Sequence, residues 1–146
     1  MARIVQFSEA VSLAIHSMVL VAQSKGAINA NEIAERTGAS RNHLAKVMQQ
    51  LVKHGFLSSC RGPNGGFALK RPPEKITILQ IFECVEGKIE TDGCPLDHQI
   101  CAFDECLLGT IAAKVSEEFK TYFKNHTLRS FMKKNPDEKL RCKGVF

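Results

Sequence analysis

The stretch from residue 29 to residue 70 constrains this chain most. Thr37-Gly38-Ala39 is a tight turn, Ser40 directly after it is a helix-capping residue, and Gly55 is a helix stop. Between cap and stop, Leu44, Val47, Met48 and Leu51 fall on one helical face, while Arg41, Asn42, Ala45, Lys46 and Gln49 fall on the other. Upstream, Asn29 or Asn31 can cap a short helix over 32–36. Downstream come two strand-like pieces, 56–60 and 66–70. Between them Arg61-Gly62-Pro63-Asn64-Gly65-Gly66 supplies hairpin turn chemistry. Helix, tight turn, helix and hairpin in this order is the winged helix-turn-helix arrangement.

The rest of the chain supports that unit. Phe7, Val11, Ala14, Ile15, Met18 and Ala22 recur at helical spacing and predict an amphipathic first helix over 6–24, ended by Lys25-Gly26. Arg71-Pro72-Pro73 punctuates the end of the wing. Thr77 can cap a fourth helix over 78–86, which Gly87 stops. Residues 88–106 have no periodicity and contain Cys94, Cys101 and Cys106; so long a loop calls for a functional or metal anchor. Leu107, Leu108, Ile111, Ala112, Val115, Phe119, Tyr122 and Phe123 mark a long amphipathic helix, 127–132 a last short helical turn, and 133–146 a polar, disordered tail. The expected class is mainly α. A winged helix-turn-helix DNA-binding domain over 1–72 precedes a linker helix and cysteine loop over 73–106. A long C-terminal helix and its end follow over 107–132.

Charge divides along similar lines. Residues 1–72 carry a net +6, residues 73–112 a net −6 and residues 113–146 a net +5. A basic N-terminal half favours a polyanion, although many basic faces are merely solvated. The acidic middle holds the three loop cysteines and reads as a separate functional region. No apolar run is long enough to span a membrane, and the first helix makes a poor signal peptide, so the chain reads as cytoplasmic. Six cysteines in a reducing compartment point to metal or redox chemistry more than to a disulfide framework. No paired carboxylates, nucleophile–base set or phosphate-cradling loop argues for an enzyme. The 62–66 glycine run lacks the GK[ST] continuation and sits in a hairpin.

A DNA-reading helix needs one buried face and one exposed face of long polar side chains. Arg41, Asn42, His43, Lys46 and Gln49 supply them. Arg and Lys donate to guanine or phosphate, while Asn and Gln bond adenine bidentately. Arg61, at the wing, can reach phosphate or a narrow minor groove. The bland alternative is a solvated helix face beside an ordinary hairpin.

Thr37-Gly38-Ala39-Ser40, the 44–51 helix face, Gly55-Phe56-Leu57 and the wing run from Arg61 to Leu69 resemble the IscR/NsrR (Rrf-two) family of regulators. Phe7-Ser8-Glu9-Ala10, the 76–86 segment and the loop cysteines fit the same family, so the resemblance covers roughly residues 3–132. It implies a homodimer on double-stranded DNA with a near-palindromic operator. It also implies a dimerisation helix over 107–125 and contacts from Ser40, Asn42, His43, Lys46 and Arg61.

Thiolates are soft ligands for iron–sulfur clusters or zinc, but Cys94, Cys101 and Cys106 alone complete neither. With His98 they form a Cys₃His set that zinc accepts, as a structural staple. The resemblance instead implies a [2Fe-2S] or [4Fe-4S] cluster, because family members with three cysteines in this loop bind one. IscR-type members place a ligand His three residues after the last loop cysteine, where this chain has Gly109. NsrR-type members resemble it at Glu9, a fourth ligand to the partner subunit's cluster. An acid in a first helical turn also suits the macrodipole without any metal. The implied function is a regulator, expected to be a repressor, controlled by nitric oxide, redox state or cluster supply. A cluster-free regulator and a small electron-transfer protein are the alternatives. Cys60 and Cys84 read as small core residues, Cys142 as a solvent thiol, His16 as a packed or hydrogen-bonded histidine, and Phe119, Tyr122 and Phe123 as packing.

Overall fold

Most of the helices start where a short polar side chain can satisfy the free amides of the first turn. The structure is a computed structural model that describes residues 5–91, 94, 101–108 and 110–132. Ser8 caps α1 (Glu9–Gln23) by accepting from the Val11 amide, and Asn29 caps α2 (Ala30–Thr37) by accepting from the Glu32 amide. Ser40 caps α3 (Arg41–Lys53) and Thr77 caps α4 (Ile78–Glu86), the latter in a reciprocal capping box with Gln80. Gly38, at φ 71°, makes the left-handed turn between α2 and α3.

The wing is an antiparallel pair, β1 (Leu57–Cys60) and β2 (Gly66–Leu69), in the register Leu57↔Leu69 to Cys60↔Gly66. Ile28, just before α2, bridges to Phe67 through two backbone bonds of 3.0 and 2.8 Å, which ties the wing to the helix-turn-helix. A 3₁₀ turn (Pro73–Lys75) leads into α4. After the loop come α5 (Ile111–Asn125) and α6 (Leu128–Phe131). The chain then returns to the same core. The Ile78 amide donates to the His126 carbonyl at 2.9 Å, and the Leu128 amide to the Ile76 carbonyl at 2.9 Å.

The core gathers Val21, Met18 and Ala14 of α1 with Ile33, the inner face of α3 (Leu44, Val47, Met48, Leu51), Phe56, Leu57, Ile76, Ile81 and Leu128. The anticipated α3 face is therefore buried, and the mainly helical, winged arrangement is present.

Several boundaries differ from expectation. The first helix starts at Glu9, because Ser8 is its cap and Phe7 turns away to stack edge-on against Phe82 and Phe119. The second helix is capped by Asn29 and runs on to Thr37, whose hydroxyl bonds the Ile33 carbonyl at 2.7 Å. Phe56 lies outside the strand; its amide closes the end of α3 on the Leu51 carbonyl. The C-terminal helix starts at Ile111 and, at 15 residues, is no longer than α1. Leu107 and Leu108 precede it in a turn, 76% and 46% exposed, with no burial within this chain to stabilise a helix there. Cys60 is exposed instead of packed, because it lies at the turn end of the two-stranded wing, paired with Gly66. Ser17, a polar interruption in the sequence, is fully buried. The tail, His98, Gly109 and Cys142 lie outside the described residues.

Candidate nucleic-acid interface and cysteine loop

On α3 the helical period that buries Leu44, Val47, Met48 and Leu51 turns Arg41, Asn42, Ala45, Lys46 and Gln49 to the surface, all exposed. They form one strip from the helix start. Ser40 is exposed at the cap of α3; its hydroxyl oxygen accepts from the His43 amide at 3.2 Å, which leaves its O–H as a donor. Arg61 is exposed directly after β1. A cleft of about 370 Å³ separates α3 from the wing; Ala45, Gln49 and Lys53 line one side, Ser59 and Phe67 the other. Strip and wing thus flank a common concavity, with no carboxylate among its lining residues.

Glycine sets the shape of the wing. A Cβ on Gly66 would stand 2.3 Å from the Ile28 carbonyl oxygen, and its φ is 153°. One on Gly65 would stand 2.5 Å from the Cys60 carbonyl oxygen. The tight turn and its attachment to Ile28 exclude a side chain at either position.

His43 departs from the strip. It is half-buried, and its Nδ1 lies 3.5 Å from Glu9 Oε1. Glu9 itself is 81% exposed in its side chain. The two residues were singled out for different tasks, yet they touch. His16 is exposed, its Nδ1 hydrogen-bonded with the Ser12 carbonyl at 2.6 Å. Phe119 and Phe123 pack with Phe7 and Phe82 as ring neighbours, while Tyr122 stacks on His126.

Cys94, Cys101 and Cys106 are all exposed. Among the described residues no three His, Cys, Asp or Glu side chains converge to hold a metal within one chain. The donor chemistry nevertheless fits an iron–sulfur cluster: three exposed thiols within thirteen residues of chain, and an exposed carboxylate at the start of α1. Cys84 differs from the loop thiols, being half-buried, with its pKa raised by desolvation.

Sequence reasoning missed Gln50. Its side-chain amide donates to the Cys84 carbonyl at 2.7 Å, joining α3 to α4. A polar residue beside the apolar face of α3 was the available signal; its partner, distant in sequence, was not. Among the described residues no helix is long and apolar enough to cross a membrane.

Comparison with known proteins agrees with this arrangement. The Rrf2 family, described as iron-dependent transcriptional regulators, matches residues 7–134. An HTH-type transcriptional regulator of Aquifex aeolicus (strain VF5) is 31% identical over 137 residues, covering 91% of this chain and 94% of its own length. The regulator IscR of Xenorhabdus nematophila is 26% identical over 121 residues, covering 83% and 70%. Among solved structures, IscR of T. potens has a TM-score of 0.69 at 25% identity, covering 86% of this chain and 85% of that one. CymR, the global cysteine regulator of B. subtilis, has a TM-score of 0.72 at 21% identity, covering 87% and 95%.

Proposed function

The chain belongs to the Rrf2 family of transcriptional regulators, not to an enzyme family, and from that premise we propose that it is a homodimeric, sequence-specific DNA-binding repressor controlled by an iron–sulfur cluster. The observation that carries the reading is the exposed strip of Arg41, Asn42, Lys46 and Gln49, set beside the wing and Arg61. The first residues of α3 enter the major groove and read base edges, while Arg61 holds the backbone or narrow minor groove. Two such helices in a dimer meet a near-palindromic operator. The units used are residues 1–72 for DNA, 73–106 for sensing and 107–132 for pairing.

Cys94, Cys101 and Cys106 of one subunit, with Glu9 of the partner subunit, are the residues that would hold the cluster. The family's iron dependence and the IscR relatives support an iron–sulfur centre, and the choice of these four residues rests on the resemblance of the loop cysteines and Glu9 to that family. When bound, the cluster supplies a redox- and nitric-oxide-sensitive centre. Glu9 is the part of this chain that links the sensor to DNA: its exposed carboxylate lies 3.5 Å from His43 of α3, and drawing it to a cluster in the partner subunit would remove that contact. A hard oxygen donor is also the weakest-matched corner of such a site. Nitric oxide is the first signal to test.

The experiment is anaerobic purification with iron, sulfide and zinc analysis and an absorption spectrum, followed by selection of duplexes from a random pool. A brown protein with matched iron and acid-labile sulfide, whose selected duplex is released by nitric oxide, is the expected result. Arg41→Ala and Lys46→Ala should each weaken that duplex about tenfold or more. A colourless protein with one zinc per chain, or one that stays metal-free after reconstitution, overturns the cluster reading and leaves the DNA reading standing. No selected duplex together with a reversible redox couple overturns the regulator reading in favour of electron transfer.

A further inference from the structure

The last turn of a helix exposes carbonyls that have no amide partner within the helix. In α4, the Gly87 amide takes the Glu83 carbonyl. The Cys84 carbonyl is taken from outside, by the Gln50 side-chain amide of α3 at 2.7 Å. The contact is reciprocal, because the Cys84 thiol faces the Gln50 carbonyl at 4.0 Å. Gln50 is half-buried and borders the apolar face that docks α3 into the core. An amide in that position costs free energy unless it is hydrogen-bonded, and the α4 end supplies its partner.

A second link closes the same junction from the other side. The Ser8 hydroxyl, at the cap of α1, donates to the Glu86 carboxylate in the last turn of α4. The adjacent Glu9 lies against His43 in the first turn of α3. The end of α4 is thus joined to both ends of the recognition helix, directly at Gln50 and through the start of α1 at His43. Immediately beyond Gly87 the chain enters the acidic segment that bears the loop cysteines.

We propose that Gln50 is a positioning residue, which locks the recognition helix to the last turn of α4 so that the two move as one body. Apolar packing between helices allows small sliding, whereas a bond to one particular carbonyl fixes the register. Displacement of the chain beyond Gly87 is therefore passed to α3 instead of being absorbed between the helices. The functional consequence rests on α3 being the DNA-reading helix; the mechanical lock does not.

The test uses the full chain carrying Gln50→Leu, which keeps the bulk and removes the donor, and Gln50→Glu, which keeps the shape and places a carboxylate against the Cys84 carbonyl. Thermal melts establish that each variant folds. Amide hydrogen exchange is read at Val85, Glu86 and Gly87, and affinity is measured for a duplex selected from a random pool by the unmodified chain. The expected result is exchange about tenfold faster in that last turn, with the remaining helices unchanged, and duplex binding about tenfold weaker. Unchanged exchange in both variants overturns the lock. A uniform rise of exchange across all helices, with unchanged affinity of the folded protein, also overturns it, because that is what a purely structural role gives. If the unmodified chain selects no duplex, the DNA reading fails separately and the exchange result alone decides the lock.

Discussion

The thiols of Cys84 and Cys60 occupy opposite surroundings in one small protein. Cys60 is exposed at the end of β1, whereas Cys84 is half-buried and held up in pKa by desolvation. Alkylation proceeds through the thiolate, so iodoacetamide at mildly alkaline pH should label Cys60 well before Cys84, as read by mass spectrometry of quenched samples. Equal rates would show that Cys84 is more solvated than the structure has it. The sign of the linked stability follows. The unfolded chain loses the Cys84 proton at the ordinary thiol pKa, while the folded chain keeps it to higher pH. The contribution is therefore fully present at neutral pH and is lost as pH rises from the ordinary thiol value through the raised one. Glu9 and Gln50 show the same dependence on surroundings. In the sequence one is a first-turn acid and the other an unremarked polar residue, but folded each has a partner on another helix.

At the scale of elements, the wing is the least forgiving part. Its two strands are four residues each and are anchored to the rest of the fold by the Ile28–Phe67 bridge. Gly66→Ala would drive a methyl group into the Ile28 carbonyl at a φ that side chains rarely adopt. The expected loss is about 2 kcal/mol or more of unfolding free energy, measured by urea denaturation, with the helical circular dichroism of the remaining native state retained. A loss below about 0.5 kcal/mol would mean that the strand pair shifts freely, and that the wing is not rigidly set beside α3. The elements themselves were largely legible in the sequence. Ser40, Thr77, Gly38, Gly55 and Gly87 are local signals for caps, turns and stops, and α4 occupies the predicted range. The starts of α1 and α5 were not legible. Apolar periodicity continues past both, and only packing decides that Phe7 joins an aromatic cluster while Leu107 and Leu108 stay outside the helix.

For the whole molecule, the unpaired apolar surface is the guide. Val5, Phe7, Ile111 and Tyr122 are large and exposed, and Val5, Phe7 and Tyr122 line one groove of about 570 Å³ along α5 with Val115 and Phe119. An apolar face of this kind suits a partner subunit. If pairing runs through α5 as proposed, Ile111→Glu should shift the protein from dimer to monomer in sedimentation equilibrium and weaken binding to a two-half-site duplex far more than to a single half-site. A dimer that persists unchanged would move the interface away from the start of α5.

What the sequence alone determined is whatever is encoded by neighbours along the chain. That covers the helix-turn-helix, the glycine-shaped wing, the buried face of α3, the exposed strip opposite it and the spacing of the loop cysteines. These follow from local backbone preferences and helical period, which a linear string carries in full. Only the tertiary structure decided that Glu9 meets His43, that Gln50 takes the Cys84 carbonyl, that Ile28 becomes part of the wing and that the chain after α5 closes back on Ile76. Each of these pairs residues distant in sequence. Their contact depends on how helices pack and rotate against a shared core, and no local preference encodes that geometry.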